Sequence, residues 1–302
     1  MKGSKLPAIQ LADQLPGPIA YVLAGGASYG AVQVGQLRAL ARTDIRPDFV
    51  VGTSVGALNG AVVAEDPDSA ADRLAALWSS VTREMVFGKI SSTAFRMVQG
   101  EPAAVDSESL RLFIESAMVS RDFADLKIPH TAVTTDFDTG EVVPLRQGDL
   151  LSAVMASAAI PAVFPHVERD GRILVDGGVV ANVPISVAAE QGAETFVVLD
   201  CGFTLVAAQR DDTFFSNIMR MAAIMAAQQV KRDLEKVASK TVLYLPGPWP
   251  IATRPDNFKR SQELAAAAYE LSLGWLQSLE IAGPGRYGSA PADWLTSPVR
   301  SD

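Results

Sequence analysis

The first sixty residues restrict the possible fold more than any other part of the chain, because they contain one pattern twice. Residues 19–24, IAYVLA, predict a short buried strand, which ends in the turn GGASYG and leads into AVQVGQLRALAR, whose apolar residues recur at helical spacing. The segment RPDFVVGTS predicts a second strand and turn, and VGALNGAVVA predicts a second helix. Two consecutive strand–turn–helix units indicate a parallel sheet with helices on its faces.

The rest of the chain continues this alternation of strands and helices. Residues 66–127 are predicted to be mostly helical, and a helix of small residues, SAVMASAAI, is predicted to end at Pro161. The segment VERDGRILVDGG predicts a hairpin with its turn at Asp170-Gly171, and residues 213–240 predict a long helix rich in Met and Ala. Further strands are predicted in HTAVTT, EVVPLRQ, ETFVVLD and TVLYLP, and further helices in PISVAAEQG and SQELAAAAYELSLGWLQSL.

This pattern predicts an α/β fold of three layers, α/β/α, around a mostly parallel central sheet. Because we find no internal repeat and no linker, residues 1–302 are predicted to form a single domain. Its core is expected at about 19–202, with a C-terminal part of helix and strand at 203–282. Residues 283–302 are rich in Gly, Pro and Ser, and they are expected to form a loose tail.

Composition limits the partners and cofactors of the chain. The formal net charge is −8 and no basic block occurs, which argues against a nucleic-acid partner. The acidic balance also argues against strong electrostatic docking on anionic membranes, although it leaves transient apolar contact with a membrane surface open. Cys201 is the only cysteine, so neither an internal disulfide nor a Cys/His metal cluster can form. We therefore expect no metal and no cofactor.

Neither a signal peptide nor a membrane span is predicted. The N-terminal segment MKGSKLPAIQLADQLPG has no continuous apolar run. The longest apolar segment, residues 150–165, is too short to cross a bilayer and contains Pro161. The expectation is a cytoplasmic protein, and the sequence leaves its oligomeric state open.

Ser54 is the first candidate for chemistry, because it lies between Gly52 and Gly56 in a G-x-S-x-G pattern. Between a strand and a helix, this pattern makes a sharp turn that lifts the serine hydroxyl above the sheet. The following helix aims its N–H groups and its positive dipole end at the same place. A five-residue pattern with only three fixed positions also occurs by chance. The alternative is therefore a tight structural turn in which the serine has no chemical role.

A serine nucleophile needs donors that stabilise the oxyanion. The turn Gly25-Gly26-Ala27 follows the first strand, and turns that connect parallel strands to helices open on the same edge of the sheet. Its small residues leave backbone N–H groups free to bind an oxyanion. A phosphate-binding loop is the alternative, but neither G-x-x-x-x-G-K-[ST] nor G-x-G-x-x-G is present.

The nucleophile also needs a base, and the chain has two histidines, His130 and His166. The order serine, acid, histidine of α/β-hydrolases would be met by Ser54, then Asp136 or Asp138, then His166. However, His166 lies beside prolines at the start of the hairpin, which is typical of a surface or packing residue. His130 precedes a strand and is read in the same way.

A carboxylate is therefore the favoured base. Asp176 ends the apolar run RILV and precedes Gly177-Gly178, where the backbone allows close approach. Partial burial raises the pKa of a carboxyl group, so an aspartate here could accept the serine proton. An ordinary Asp-Gly turn is the alternative, and sequence chemistry leaves Asp136 and Asp200 open as candidates.

Four segments together carry a resemblance to a known family. GGASYG, GTSVG, ASAAIPAVFP and DGGVVANVP occur in the order found in the patatin-like phospholipase family, and the resemblance spans roughly residues 19–202. It implies a serine–aspartate dyad, with Ser54 as nucleophile and Asp176 as base, and an oxyanion hole at Gly25-Gly26-Ala27. It also implies hydrolysis of acyl esters such as phospholipids, lysophospholipids, glycerolipids or small carboxylic esters.

The chain departs from the family pattern at two positions of the glycine-rich turn. The family reads Gly-Gly-Gly-x-Arg/Lys-Gly, whereas this chain has Ala27 at the third glycine and Tyr29 at the basic position. Ala27 keeps its backbone N–H, so the hole survives if alanine tolerates the backbone angles there. Loss of the basic residue favours neutral esters or lysolipids over substrates that carry phosphate.

The remaining predictions concern substrate contacts. Tyr29, Phe164 and Met219 are predicted to contact the substrate, and residues 79–105 are a candidate lid. The long helix is predicted to pack its apolar residues in the core, with an acyl-chain groove or a lipid-touching face as the alternative. A non-catalytic lipid- or acyl-binding protein on the same fold, and a Ser-His-Asp esterase that uses His166, are the alternatives to a dyad enzyme. The apolar residues concerned on the helix are Phe214, Phe215, Ile218, Met219, Met221, Ile224 and Met225.

Overall fold

A mostly parallel sheet lies at the centre of the part of the chain that the structure describes, residues 8–89, 103–208, 214–251 and 253–295. The structure is a computed structural model. The strands within these residues are β1 (Ile19–Leu23), β2 (Phe49–Thr53), β3 (His130–Asp136), β4 (Val142–Leu145), β5 (Val167–Arg169), β6 (Arg172–Asp176), β7 (Thr195–Leu199), β8 (Thr241–Tyr244) and β9 (Gly285–Tyr287).

The strand order is β5-β6-β3-β2-β1-β7-β8-β9, and β4 also pairs with β3. From β3 to β9 along this order, all neighbouring strands are parallel. The pairs of β3 with β4, of β3 with β6 and of β5 with β6 are antiparallel. The sheet is therefore parallel at its centre and antiparallel at the edge that carries the hairpin.

Helices cover both faces of the sheet. Along β1, Ile19, Tyr21 and Leu23 pack into one apolar cluster, and Ala20 and Val22 pack into the other. A central parallel strand is buried on both sides, which explains why IAYVL is apolar without a break. The helices are α1 (Gly30–Leu40), α2 (Val55–Glu65), α3 (Ala70–Ser80), α4 (Arg83–Phe87), α5 (Glu108–Ala117), α6 (Leu150–Ser157), α7 (Ile185–Glu190), α8 (Phe214–Lys236) and α9 (Ser261–Gln277), with short 3-10 turns at Ala12–Gln14, Ala27–Tyr29, Phe123–Asp125, Gly177–Val179, Phe203–Ala208, Phe258–Arg260 and Pro291–Leu295.

The two layers are unequal. The larger apolar cluster joins one sheet face to α1, α2, α3, α5, α6 and α9, and the smaller one joins the other face to α7 and α8. This arrangement confirms the predicted three-layer α/β/α fold. None of the described helices is both long enough and apolar enough to cross a membrane.

The structure differs from the sequence-based expectation near the C-terminus. Residues from Gly283 onward were expected to be a loose tail, but β9 pairs with β8, with Gly285 opposite Thr241, and a 3-10 turn follows at Pro291–Leu295. The Gly285 N–H donates to the carbonyl of Lys240, which anchors the start of the strand. Of the candidate lid at 79–105, residues 90–102 lie outside the described residues.

Strand register brings the ends of β2 and β6 to one level. Thr53 pairs with Val133 on β3, so Ser54 comes one residue beyond this pair. Asp176, the last residue of β6, pairs with Thr134 on the other side of the same strand. Ser54 and Asp176 therefore lie at the level of Thr134, one on each side of β3.

Candidate active site

Ser54 occupies a strained turn between β2 and α2. Its φ of 55° and ψ of −125° place it in a region that favours glycine. A Cβ at Gly52 would lie 2.2 Å from the Gly56 carbonyl oxygen, and one at Gly56 would lie 2.3 Å from the Leu23 carbonyl oxygen. Both glycines of the G-x-S-x-G pattern are therefore required by the closeness of the backbone, as the sequence predicted.

Ser157 holds the backbone of this turn and was missed by the sequence analysis. The Ser54 N–H donates to the Ser157 hydroxyl oxygen at 2.9 Å, and that hydroxyl donates to the Val133 carbonyl at 2.6 Å. Ser157 lies at the end of α6 and is fully buried. Ser157 belongs to the ASAAIPAVFP segment, and this membership was the only sequence signal for its role. The sequence does not show that α6 packs against the turn that carries Ser54.

Asp176 faces Ser54. Burial raises the pKa of its carboxyl group to about 6, while hydrogen bonding from the Ser54 side chain and from the Gly178 N–H acts in the opposite direction. The Gly178 N–H donates to Oδ1 at 2.7 Å. A Cβ at Gly177 would lie 2.3 Å from the Val133 carbonyl oxygen, so glycine is needed where this turn passes over β3. The carboxylate is thus held beside the serine by a fixed backbone.

The other two candidate carboxylates have different partners. Asp136 accepts the N–H groups of Asp138 at 3.0 Å and Thr139 at 3.1 Å, and these bonds together with Arg172 keep its pKa below the ordinary value. Asp200 is fully buried, which raises its pKa, and it accepts the hydroxyl of Tyr244. Neither carboxylate contacts Ser54, so the geometry separates candidates that the sequence could not.

Neither histidine belongs to this cluster. His130 is buried at the opposite end of β3, and burial lowers its pKa to about 4. The His166 side chain is 45% exposed and lies 3.9 Å from Glu168. Within the described part of the chain, no histidine contacts Ser54 or Asp176. The geometry therefore favours a pair of residues over a triad.

The glycine-rich turn presents two free N–H groups rather than three. The Gly25 N–H donates to the Asn182 carbonyl at 2.9 Å, so the prediction that Gly25 contributes to an oxyanion hole does not fit its backbone. The N–H groups of Gly26 and Ala27 have no acceptor among the described residues. Ala27 adopts a φ of 48°, so alanine tolerates a backbone conformation that favours glycine.

An apolar pocket opens at the serine. It contains about 450 Å³ of space unfilled by atoms, part of it open to solvent, and its cavity volume is about 50 Å³. Aromatic rings form much of its wall, and Phe87 stacks on Phe164 with ring centres 5.5 Å apart. The pocket is lined by Ala27, Ser54, Val55, Leu58, Trp78, Val86, Phe87, Leu110, Phe113, Ile114, Ala158, Ile160, Phe164 and Phe258.

Of the three predicted substrate contacts, only Phe164 lines this pocket. Tyr29 is fully buried and its hydroxyl donates to the carbonyl of Thr253, so its side chain does not reach the pocket. Met219 is partly buried on α8 and packs against the larger apolar cluster, away from the pocket lining. The sequence could not place either residue relative to this pocket, because it does not show which way a side chain points.

Comparison with known proteins identifies related sequences. Residues 21–189, more than half of the chain, match the family described as patatin-like phospholipase. The mouse protein "Patatin-like phospholipase domain-containing protein 7" is 32% identical over 212 residues, which cover 69% of this chain and 15% of that protein. "Lysophospholipase NTE1" of Mycosarcoma maydis is 27% identical over 203 residues, which cover 64% of this chain and 10% of that protein.

The chain thus matches 15% or less of the length of these curated relatives. Among solved structures, VipD from Legionella pneumophila aligns with 92% of this chain and 72% of that chain, at a TM-score of 0.44 and 14% sequence identity.

Proposed function

The chain belongs to the patatin-like phospholipase family, and from this premise we propose that it hydrolyses carboxylic ester bonds of lipids with Ser54 as nucleophile and Asp176 as general base. The observation that carries the proposal is that strand register places the buried Asp176 carboxyl group at the level of Ser54, and that the Ser54 side chain acts on the pKa of this carboxyl group. Ser54 lines an apolar pocket together with Ala27, whose N–H has no acceptor among the described residues.

The proposed reaction has two halves. In the first, Asp176 accepts the Ser54 proton while Oγ attacks the ester carbonyl, and the N–H groups of Gly26 and Ala27 bind the oxyanion. Collapse of the tetrahedral intermediate breaks the ester C–O bond, and Asp176 returns the proton to the departing alcohol. In the second, Asp176 takes a proton from water, the resulting hydroxide attacks the acyl-enzyme, and the carboxylic acid leaves as the proton returns to Ser54.

The raised pKa of Asp176 suits this role. A general base works best when its pKa lies near the working pH, because it is then ionised and still basic enough to take a proton. Burial raises the pKa of Asp176 from the ordinary value of 3.8 to about 6. The carboxylate is thus a stronger base than a solvated aspartate and is still mostly ionised at neutral pH.

The pocket supports a lipid acyl chain as the group bound beside the serine. Its lining is apolar apart from Ser54 and the Trp78 ring nitrogen, and that nitrogen donates to Asn59 at 3.1 Å. Because Tyr29 replaces the basic residue of the family pattern and is itself buried, the turn offers no cation for a phosphate. We therefore propose lysolipids or neutral esters as substrates, in line with the lysophospholipase name of one relative.

Hydrolysis of p-nitrophenyl esters of short and medium chain length tests the proposal. Wild type is expected to turn over, Ser54→Ala is expected to show no activity above background, and Asp176→Asn is expected to lose most activity. His166→Ala is the matched control and is expected to keep wild-type kinetics, because the His166 side chain is exposed and has no hydrogen bond or ion pair to Ser54 or Asp176 among the described residues.

The alternatives give different results in the same assay. Loss of activity in His166→Ala with retention in Asp176→Asn would establish a Ser-His-Asp enzyme. A wild-type protein that neither hydrolyses these esters nor reacts with a fluorophosphonate, yet binds lysolipid as tightly as Ser54→Ala does, would establish a non-catalytic lipid-binding protein.

A further inference from the structure

Between residues 218 and 230, helix α8 exposes most of its large apolar side chains and buries small ones. The face that packs in the core consists of Ala223, Ala226, Ala227 and Val230. An amphipathic surface helix normally has the opposite arrangement, with the large apolar residues facing the core. The prediction that these large residues pack in the core is therefore wrong for Ile218, Met221, Ile224 and Met225, and Met221 and Met225 are 62% and 57% exposed.

This exposed surface continues to the turn that carries Asp176. A groove beside α8 is lined by Gly178 and Val179 from that turn and by Ile224 and Met225 from the helix. Val179 is itself exposed. We name the exposed apolar residues Val179, Ile218, Met221, Ile224 and Met225 the α8 patch.

Cationic side chains accompany the α8 patch. Arg220, Lys231 and Arg232 lie on the same helix, and Arg232 lines the groove. None of the three forms an ion pair with a described residue. Within the described ranges they are thus positive charges without an ion-pair partner, in a chain whose formal net charge is −8. Apolar side chains flanked by unpaired cations are the composition of a helix that lies in a lipid interface.

We propose that the α8 patch docks on a lipid surface that carries phosphate groups, with Met221 and Met225 inserted among the acyl chains. Arg220, Lys231 and Arg232 then contact the phosphates. Methionine suits this surface because its flexible side chain adapts to a fluid partner. The proposal rests on the lipid hydrolase function proposed above, since docking beside the Asp176 turn brings the lipid surface next to the catalytic edge of the sheet.

A second copy of the chain fits the same surface less well. A two-fold symmetric dimer pairs a surface with itself, so the α8 patch and its three cations would meet their own copies. Arg220, Lys231 and Arg232 would then approach the same cations of the second copy, whereas lipid phosphates supply the opposite charge. Charge complementarity therefore favours a lipid surface over self-association.

Flotation with vesicles tests the proposal in a Ser54→Ala background, in which no hydrolysis alters the lipid. The vesicles contain phosphatidylcholine and phosphatidylglycerol. The added pair Met221→Glu and Met225→Glu is expected to lower the partition coefficient roughly a hundredfold, because each buried methionine contributes about tenfold. Leu271→Glu is the matched control, since Leu271 is 47% exposed on α9 in the opposite helical layer, and it is expected to bind like its parent.

A second variant tests the cationic part. Arg232→Gln is expected to weaken binding to vesicles with phosphatidylglycerol severalfold at low salt, and the difference is expected to shrink as salt is raised. Equal binding of the Met221→Glu, Met225→Glu variant and its parent overturns the proposal. So does a parent that fails to bind vesicles but sediments as a dimer that the two glutamates dissociate.

The experiments distinguish a failure of the proposed lipid hydrolase function from a failure of the proposed docking of the α8 patch. Binding by the Ser54→Ala parent does not depend on catalysis, so docking is measured even if wild type proves inactive. If wild type is active, the Met221→Glu, Met225→Glu variant is expected to keep its rate on soluble p-nitrophenyl butyrate and to lose activity on vesicles. A parallel loss on both substrates would contradict docking as the role of the patch.

Discussion

Asp176 and Asp200 are two buried aspartates at strand ends, and they differ in the group that each one faces. Asp176 ends β6 and faces the hydroxyl of Ser54, whereas Asp200 follows β7 and accepts the hydroxyl of Tyr244. Burial raises the pKa of both carboxyl groups. Each also accepts a backbone N–H two residues later, from Gly178 and from Gly202, both at 2.7 Å.

The difference between them shows that burial and a raised pKa do not by themselves make a base. The Tyr244 hydroxyl is fully buried and its own pKa is raised far above the ordinary range, so it keeps its proton and Asp200 stays an acceptor. Ser54 instead lines the open pocket, where a substrate carbonyl can reach its oxygen. Access of a substrate to the partner group therefore separates the reactive pair from the structural pair.

The largest effect is expected on catalysis. Asp176→Asn keeps the shape of the carboxylate but cannot accept the serine proton, so kcat/KM is expected to fall by about 10⁴-fold, as for removal of the acid in a serine triad. Asp200→Asn is expected to stay within about tenfold of wild type. Steady-state hydrolysis of p-nitrophenyl butyrate measures both, and equal losses in the two variants would contradict the comparison.

The second effect is on stability, where Asp176→Asn is expected to be favourable although it is unfavourable for catalysis. The folded-state pKa of Asp176, about 6, lies above its ordinary value of 3.8, so protonation of this group adds stability that is fully present below about pH 4 and lost as the pH rises through 6. Asparagine does not titrate. Asp176→Asn is therefore expected to be more stable than wild type by up to about 3 kcal/mol at pH 8, and the gain is expected to vanish near pH 4.

Urea unfolding at the two pH values measures this difference. Asp136→Asn is the control with the opposite sign, because hydrogen bonds and Arg172 lower the pKa of Asp136, so its ionised form stabilises the fold at pH 8. If Asp176→Asn is less stable than wild type at pH 8, the ionised Asp176 carboxylate does not destabilise the folded state, which contradicts this prediction.

The third effect concerns the Tyr244 partner. Tyr244→Phe leaves the buried Asp200 carboxylate without its hydroxyl donor, and it is expected to lower the free energy of unfolding by about 1–3 kcal/mol. The pH dependence of hydrolysis is expected to stay unchanged, because Asp176 remains intact. Thermal unfolding and a pH–rate profile measure the two parts, and a shifted kinetic pKa would mean that Asp200 and Asp176 titrate together.

The smallest effect is expected from Ser157, which holds the backbone of the reactive partner. Ser157→Ala removes the acceptor of the Ser54 N–H, and it is expected to lower kcat roughly tenfold with little change in KM. Ser157→Thr offers the same hydroxyl and is expected to recover part of the rate. A change in KM alone would place Ser157 in substrate binding instead.

The local part of this account could be predicted from the sequence. Gly52, Ser54 and Gly56 lie within five residues, and steric limits on a strand–helix turn act over that length. The Asp-Gly-Gly segment after an apolar run likewise marked Asp176 as a strand end. The parallel sheet followed from two repeated units, because the alternation of strands and helices is itself a short-range pattern.

The contacts between distant segments could not be predicted. Gly25 loses its N–H to the carbonyl of Asn182, 157 residues later, and Ser157 meets Ser54 across 103 residues. Strand β9 is only three residues long, Gly285–Tyr287, so it has no detectable alternation of apolar and polar residues. On α8 the helical spacing was correct, but alanines, and not methionines, fill the space against the sheet.

The dyad itself is tested most directly by the pH dependence of fluorophosphonate labelling, followed by intact mass. Wild type is expected to gain one adduct, with a rate constant that rises with pH and levels off above a pKa near 6, the value for Asp176. Asp200→Asn is expected to give the same curve, Ser54→Ala no adduct, and Asp176→Asn slow labelling without this inflection. An unchanged inflection in Asp176→Asn, or an adduct on Ser54→Ala, would contradict the assignment of Ser54 and Asp176 as the reactive pair.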